Sequence, residues 1–192
     1  MRSEADRLSV LVENVLSYAR LERGRPAHHG QTATIAQLLD RAAARLSQLA
    51  DASQMAFVVE TDGVPGDTRV IADPGPVEQI LFNLVDNAGK YAADATDCRI
   101  HLQAVRNGSH VELRVRDYGP GISRSEARRL FRPFTKSARE AAHTAHGVGL
   151  ALSRRLARAL GGDLRVEHTE EGACFVVTLP IDGSNGAGGV QA

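Results

Sequence analysis

The sequence predicts an α+β fold, a two-layer sandwich in which helices cover one face of a mixed, mostly antiparallel sheet. Two observations predict it. Segments with helical periodicity and segments with two-residue alternation are interleaved along the 192 residues. Successive alternating segments meet through turns too short for a crossover, so they pair antiparallel and exclude a doubly wound parallel sheet. No internal repeat interrupts this order.

Residues 1–23, MRSEADRLSVLVENVLSYARLER, read as one amphipathic helix. Leu8, Leu11, Val12, Val15, Leu16 and Ala19 make a stripe wide enough for a coiled coil or helical bundle. Gly24, Pro26 and Gly30 break that helix and separate an appendage from the main domain. A short strand after Ala27 leads to Thr34, an N-cap candidate, and Ile35, Leu38, Leu39, Ala42, Leu46 and Leu49 then recur on one helical face. MAFVVET reads as a strand, GVPGD as a turn and TRVIAD as a second strand. Pro74 and Pro76 open a helix that runs to about Tyr91, proline being tolerated in a first turn. Two alternating segments flank Asn107-Gly108, a hairpin signal. SRSEARRLF is a short helix capped by Ser123 or Ser125, and RPFTKSAREAAHTAHG, without periodicity, is a long loop. VGLALSRRLARALGG is a helix stopped by Gly161 and Gly162. DLRVEHTEEGACFVVTLP is a final hairpin, and residues 183–192 are a glycine-rich tail expected to be disordered.

Composition narrows the function. An apolar fraction of 43% and a charged fraction of 24% are those of a soluble domain, and the formal net charge of zero excludes a global field favouring nucleic acid or anionic membrane. Positive charge is nearly all arginine, with Lys90 and Lys136 the two lysines. Cys98 and Cys174 are too few for a disulfide framework or a metal cluster and read as reduced core residues. No segment approaches the roughly 20 apolar residues of a membrane span, and no signal peptide is seen. The expected location is the cytoplasm, or the cytoplasmic part of a membrane-bound parent.

Three stretches break the local rules of stability, as functional sites do. In NLVDNAGKYA, Asn83, Asn87 and Lys90 recur at helical spacing beside the apolar Leu81, Leu84, Val85 and Ala88. Amide oxygens are hard ligands that suit Mg²⁺, and a lysine one turn on suits a phosphate; a polar helix face in water has the same pattern. In DYGPGI an aspartate, Asp117, ends a strand before Gly119 and Gly121, whose lack of a Cβ permits close approach of a ligand, or simply a turn. In HGVGLAL two glycines open a helix, whose free N–H groups and dipole favour a phosphate. It is neither a P-loop nor a dinucleotide fingerprint.

In this order the stretches resemble the ATP-binding catalytic domain of sensor histidine kinases, in the superfamily shared with gyrase and MutL ATPases. NLVDNAGKYA is similar to the N box, DYGPGI to the G1 box, LFRPFTK to the F box, HGVGLALSRRLARALGG to the G2 box and EGACFVVTLP to the last glycine box. The resemblance spans about Asp73 to Pro180. EADRLSVLVENVLSYARLERG is similar to the second helix of the family's dimerisation and phosphoacceptor hairpin.

The resemblance implies a Bergerat-type ATP-binding fold over residues 25–182, a hairpin helix over 1–24 and the tail over 183–192. It implies that Asn87 coordinates a Mg²⁺ bridging the ATP phosphates, with Asn83 assisting. Lys90 would approach the phosphates and Tyr91 would line the pocket. Asp117 would accept a hydrogen bond from the adenine amino group, with Gly119, Gly121 and Ile122 beside the base. Residues 131–146 would form an ATP lid carrying Lys136 and Arg139 near the γ-phosphate. Gly147, Val148, Gly149 and Leu150 would close the phosphate end with backbone N–H groups. The implied reaction moves a phosphoryl group from ATP to a histidine, then to an aspartate in the receiver domain of a response regulator. In the family that histidine lies on the first helix of the hairpin, so the phosphoacceptor is expected outside this chain. The parent is expected to be a homodimer, and this chain a monomer or weak dimer. His28, His29, His143 and His146 have neither the acceptor's sequence context nor an evident catalytic partner. Ala151 and Ala173 depart from the family pattern, where glycine and threonine are frequent. An anti-sigma-factor-type serine kinase and a nucleotide-binding regulatory module without transfer activity share the same boxes.

Overall fold

The computed structural model describes residues 31–127, 129–132 and 149–183. The sequence predictions for residues 1–30, for Lys136, Arg139, His143, His146, Gly147 and Val148, and for the tail beyond residue 183 lie outside the described residues. The chain runs β1 (Thr32–Thr34), α1 (Ile35–Asp51), β2 (Ala56–Gly63), β3 (Arg69–Ile71), α2 (Pro74–Tyr91), β4 (Arg99–Asn107), β5 (His110–Arg116), α3 (Arg124–Ala127), α4 (Gly149–Ala159), β6 (Asp163–Glu167) and β7 (Cys174–Pro180). Five strands form one sheet in the order β2-β4-β5-β7-β6. β2 and β4 are parallel and the other pairs antiparallel, so the sheet is mixed as predicted.

Local chemistry sets the helix ends. Thr34 caps α1 by accepting from the Gln37 N–H at 3.1 Å, while the Gln37 side chain accepts from the Thr34 N–H at 3.0 Å. The predicted stripe Ile35, Leu38, Leu39, Ala42, Leu46 and Leu49 is buried. Asp73 caps α2 through the Gly75 N–H at 3.0 Å, and Pro74 occupies the first helical position. Helix α2 packs against both α1 and α4. Its residues Ile80 to Val85 are therefore all buried, so its apolar surface is broader than a single stripe. Ile80, Leu81 and Leu84 of α2 and Leu152 of α4 meet Ile100, Leu102, Leu113, Leu164 and Leu179 from the sheet in one core.

Two details differ from the sequence reading. Strands β1 and β3 stay out of the main sheet and pair with each other; at three residues each they form a small ledge, joined to the chain end by the Val70–Ile181 bridge. The β4–β5 hairpin turns at Gly108-Ser109, one residue later than Asn107-Gly108. Gly108 is the central residue at positive φ (59°), as a turn with glycine first requires.

The sheet face away from the helices is covered by charge. Glu112 accepts from Arg114 and Arg165, each at 3.0 Å, and Glu167 pairs with the same two arginines. The four charges alternate around Val176, whose cross-strand partners are Arg114 and Arg165. Val176 is fully buried beneath the arginine stems, which explains how this face stays ordered without a second helical layer. Among the described residues no helix is long and apolar enough to cross a membrane.

Candidate nucleotide-binding site

The site residues gather where the end of β5, the start of β7 and helices α2 and α4 converge. Strand β5 ends at Arg116, and the next backbone N–H, that of Asp117, donates to the Ala173 carbonyl at 3.0 Å. The Asp117 side chain is 7% exposed. Its Oδ1 accepts from the Gly119 N–H at 3.0 Å and from the Ala173 N–H at 3.2 Å. Burial pushes this carboxyl above its ordinary pKa, and the two N–H bonds only partly offset the rise. Both bonds fall on Oδ1, which leaves Oδ2 without a hydrogen bond from the described residues.

The glycines around Asp117 are explained by crowding. A Cβ on Gly119 would lie 2.8 Å from the Ala92 Cβ and 3.0 Å from the Tyr91 carbonyl, so this loop rests directly on the end of α2. Gly172, at φ +72°, is tighter still: its Cβ would lie 1.9 Å from the Asp117 carbonyl oxygen. The stretch that resembles the last glycine box contains Gly172, but the contact that requires a glycine there is with a residue 55 positions away along the chain. Gly121 also has positive φ, and Ile122 packs half-buried on the core. Ala173 contributes through its backbone, so the threonine hydroxyl that is frequent there is not needed to hold Asp117.

Tyr118 points the other way. Its ring lies 4.9 Å from the Arg116 guanidinium and 5.6 Å from that of Arg99, and meets the His101 ring edge-on at 5.7 Å. Consecutive residues thus serve opposite faces, Asp117 the helix side and Tyr118 the outer sheet side.

On α2 the predicted polar residues grade from buried to exposed. Asn83 is 5% exposed, Asn87 is half-buried, and Lys90 and Tyr91 are exposed. Lys90 forms an ion pair with Asp86 one turn earlier. Asn83 does not share the open stretch with Lys90. Its amide nitrogen donates to the Ser153 Oγ at 3.1 Å and to the Gly149 carbonyl at 3.3 Å, both on α4. Leu150 is half-buried against the core at the start of α4. Ser153 was legible only as a serine on the apolar stripe beside Leu152, Leu156 and Ala157.

A broad cleft of about 1690 Å³ opens at the same end of the sheet. Tyr91, Gly119, Gly121 and Ile122 line part of it, but Asn83, Asn87, Lys90, Asp117 and Leu150 do not. Its walls carry Asp94, Asp97, Glu126, Glu170 and Glu171 against Arg99, which pairs with Asp97, and His168, a net acidic lining that disfavours a triphosphate. The residues with suitable chemistry lie instead at the α2–β5–α4 junction. Among the described residues no three histidine, cysteine, aspartate or glutamate side chains cluster to hold a metal. A cation at Asn87 must therefore bring most of its ligands as phosphate oxygens and waters, which is the habit of Mg²⁺.

Residues 72–183 match the family described as histidine kinase-, DNA gyrase B-, and HSP90-like ATPase. Sensor protein KdpD of Mycobacterium tuberculosis (strain CDC 1551 / Oshkosh) is 31% identical over 172 residues, 90% of this chain and 20% of that protein. The adaptive-response sensory kinase SasA of Synechococcus sp. (strain JA-3-3Ab) is 28% identical over 182 residues, 94% of this chain and 47% of that protein. The crystal structure of full-length ShkA in complex with AMPPNP superposes with a TM-score of 0.73 at 29% identity, covering 93% of this chain and 37% of that one. The chain therefore spans from a fifth to just under half of these relatives. The family match takes in α2, Asp117, α4 and the β7 hairpin, the same segments that converge on the site. The chain belongs to the histidine kinase-, DNA gyrase B-, and HSP90-like ATPase family.

Proposed function

We propose that this chain is the Mg-ATP-binding catalytic part of a sensor histidine kinase. It transfers the γ-phosphoryl group of ATP to a histidine on a separate acceptor domain of the parent, for relay to a response regulator. The observation that carries this reading is Asp117: a buried carboxylate with one oxygen fixed by two backbone N–H groups, which leaves the other for the amino group of a base. Such a group reads an exocyclic amine and rejects a carbonyl in its place, so it selects adenine over guanine. The sensor kinases among the relatives, and the AMPPNP bound in the ShkA structure, support the same nucleotide class.

The roles follow from placement. Asp117 orients the base, with Ile122 packing beside it and the Gly119 N–H holding Oδ1. Tyr91 lines the rim at the end of α2. Asn87 would hold Mg²⁺ through its amide oxygen, and the metal would supply charge neutralisation at the phosphates. Lys90, next along the same helix, meets the phosphates in competition with its present partner Asp86. The first turn of α4, with Gly149 and Leu150, offers N–H groups that the helix leaves unpaired. In the transfer the bond from the γ-phosphorus to the bridging oxygen breaks as a bond to an imidazole nitrogen forms, and ADP leaves. The protein contributes positioning and charge neutralisation. The sequence of residues 1–24, similar to the second helix of the family's dimerisation hairpin, would join the catalytic domain, residues 25–182, to the rest of the parent, on the cytoplasmic side if the parent is membrane-bound.

The test supplies γ-labelled Mg-ATP and an acceptor hairpin from a sensor kinase relative. The expected product is a labelled acceptor whose phosphate is lost in acid and kept in alkali. An acid-stable label identifies a serine kinase instead. Tight Mg-ATP binding with no transfer to any histidine acceptor identifies a regulatory module.

A further inference from the structure

The polar contact between α2 and α4 has no place in the roles above. Ser153 is 0% exposed, on the apolar stripe of α4. Asn83 lies on α2 one turn before Asn87. A serine and an asparagine buried together in a helix–helix contact give up hydration for a single geometry. The Asn83 amide uses its two hydrogens on two acceptors of α4, the Ser153 hydroxyl and the Gly149 carbonyl. Gly149 is the first described residue of α4, at the end that the proposed roles assign to the phosphates. An apolar contact at this spot would let the two helices slide, whereas two hydrogen bonds from one planar amide fix both the rotation and the height of α4.

We infer that Ser153 is a positioning residue for the phosphate end of the nucleotide site. It holds the Asn83 amide, and through it the first turn of α4, at a set place relative to Asn87. Asn83 acts in the same device, not as a direct partner of the nucleotide. This inference rests on the nucleotide reading proposed above, and the experiment separates the two.

The full chain is titrated calorimetrically with Mg-ATP and with adenosine, which has the base and no phosphates. Ser153→Ala is expected to weaken Mg-ATP roughly tenfold, the effect of about one hydrogen bond, and to leave adenosine binding unchanged. Ser153→Thr, which keeps the hydroxyl, restores Mg-ATP affinity. Asn83→Ala shows the same split, and adding Ser153→Ala to it has little further effect, since the pair acts as a unit. The inference is overturned if Ser153→Ala binds Mg-ATP like the unaltered chain, or if adenosine and Mg-ATP weaken together in a chain that circular dichroism shows folded. Should the unaltered chain bind neither ligand, the nucleotide reading itself fails and this inference goes with it.

Discussion

Replacing Asp117 by asparagine separates recognition from stability in one substitution. The Asp117 Oδ1 accepts two backbone N–H groups, at 3.0 and 3.2 Å. In the variant those two donors demand the amide oxygen, so the NH₂ group must take the place of Oδ2. The side chain then presents a donor where adenine also presents one. Losing a hydrogen bond to a charged acceptor costs about 1.5–3 kcal/mol, so Mg-ATP affinity should fall roughly 10- to 100-fold. Mg-ITP, whose base has a carbonyl at that position, should lose far less, and the preference between the two nucleotides narrows or reverses. Stability should move the other way. An acid whose folded pKa lies above its unfolded value has its penalty absent below the ordinary 3.8 and growing as pH rises through the folded pKa. The variant has no such penalty. Its unfolding midpoint relative to the unaltered chain should rise as the pH is raised from below 3.8. Calorimetry with the two nucleotides and thermal melts across pH supply the data. Equal loss of Mg-ATP and Mg-ITP, or a variant that melts lower at neutral pH, would refute the reasoning.

The other predictions concern the scaffold. Gly172→Ala places a Cβ against the Asp117 carbonyl oxygen at a positive φ, and should cost about 3–5 kcal/mol in urea unfolding. Glu112→Ala takes from Arg114 and Arg165 the more buried of the two carboxylates they share, leaving only Glu167, and should cost about 2 kcal/mol with nucleotide affinity unchanged. Asp163 is held at about 2, chiefly by the hydrogen bond from Arg154, so its contribution is present above its ordinary 3.8 and lost as pH falls through about 2. The Asp163 side chain is 43% exposed, which limits that contribution to under about 1 kcal/mol; Asp163→Asn should flatten the acid limb of the stability curve by no more than this.

The parts legible in the sequence were those whose causes are local. Thr34, and Pro74 with Pro76, announce helix starts because a helix start needs only three or four residues. Hydrophobic spacing in α1 predicts its buried face for the same reason. Asp117 could be singled out because a strand-ending aspartate before spaced glycines is a local anomaly. What escaped depends on distant segments. Asn83 looked like a member of an open polar face, and only the arrival of α4, 70 positions away, makes it an interior donor to Ser153. Gly172 became necessary only when folded against Asp117. The ring of Glu112, Arg114, Arg165 and Glu167 joins two strands, β5 and β6, that are not sheet neighbours, which no spacing along the chain reveals.

Two surfaces at one end of the sheet compete for the nucleotide: the α2–β5–α4 junction and the acidic cleft beside it. A titration of the isotope-labelled chain with Mg-ATP, followed by amide NMR, distinguishes them directly. The junction predicts the largest shifts at the Asn87 side-chain amide and at the backbone N–H groups of Ala173 and Gly149. Shifts concentrated at Asp94, Thr96 and Glu170 to Glu171, with the junction unmoved, would contradict it.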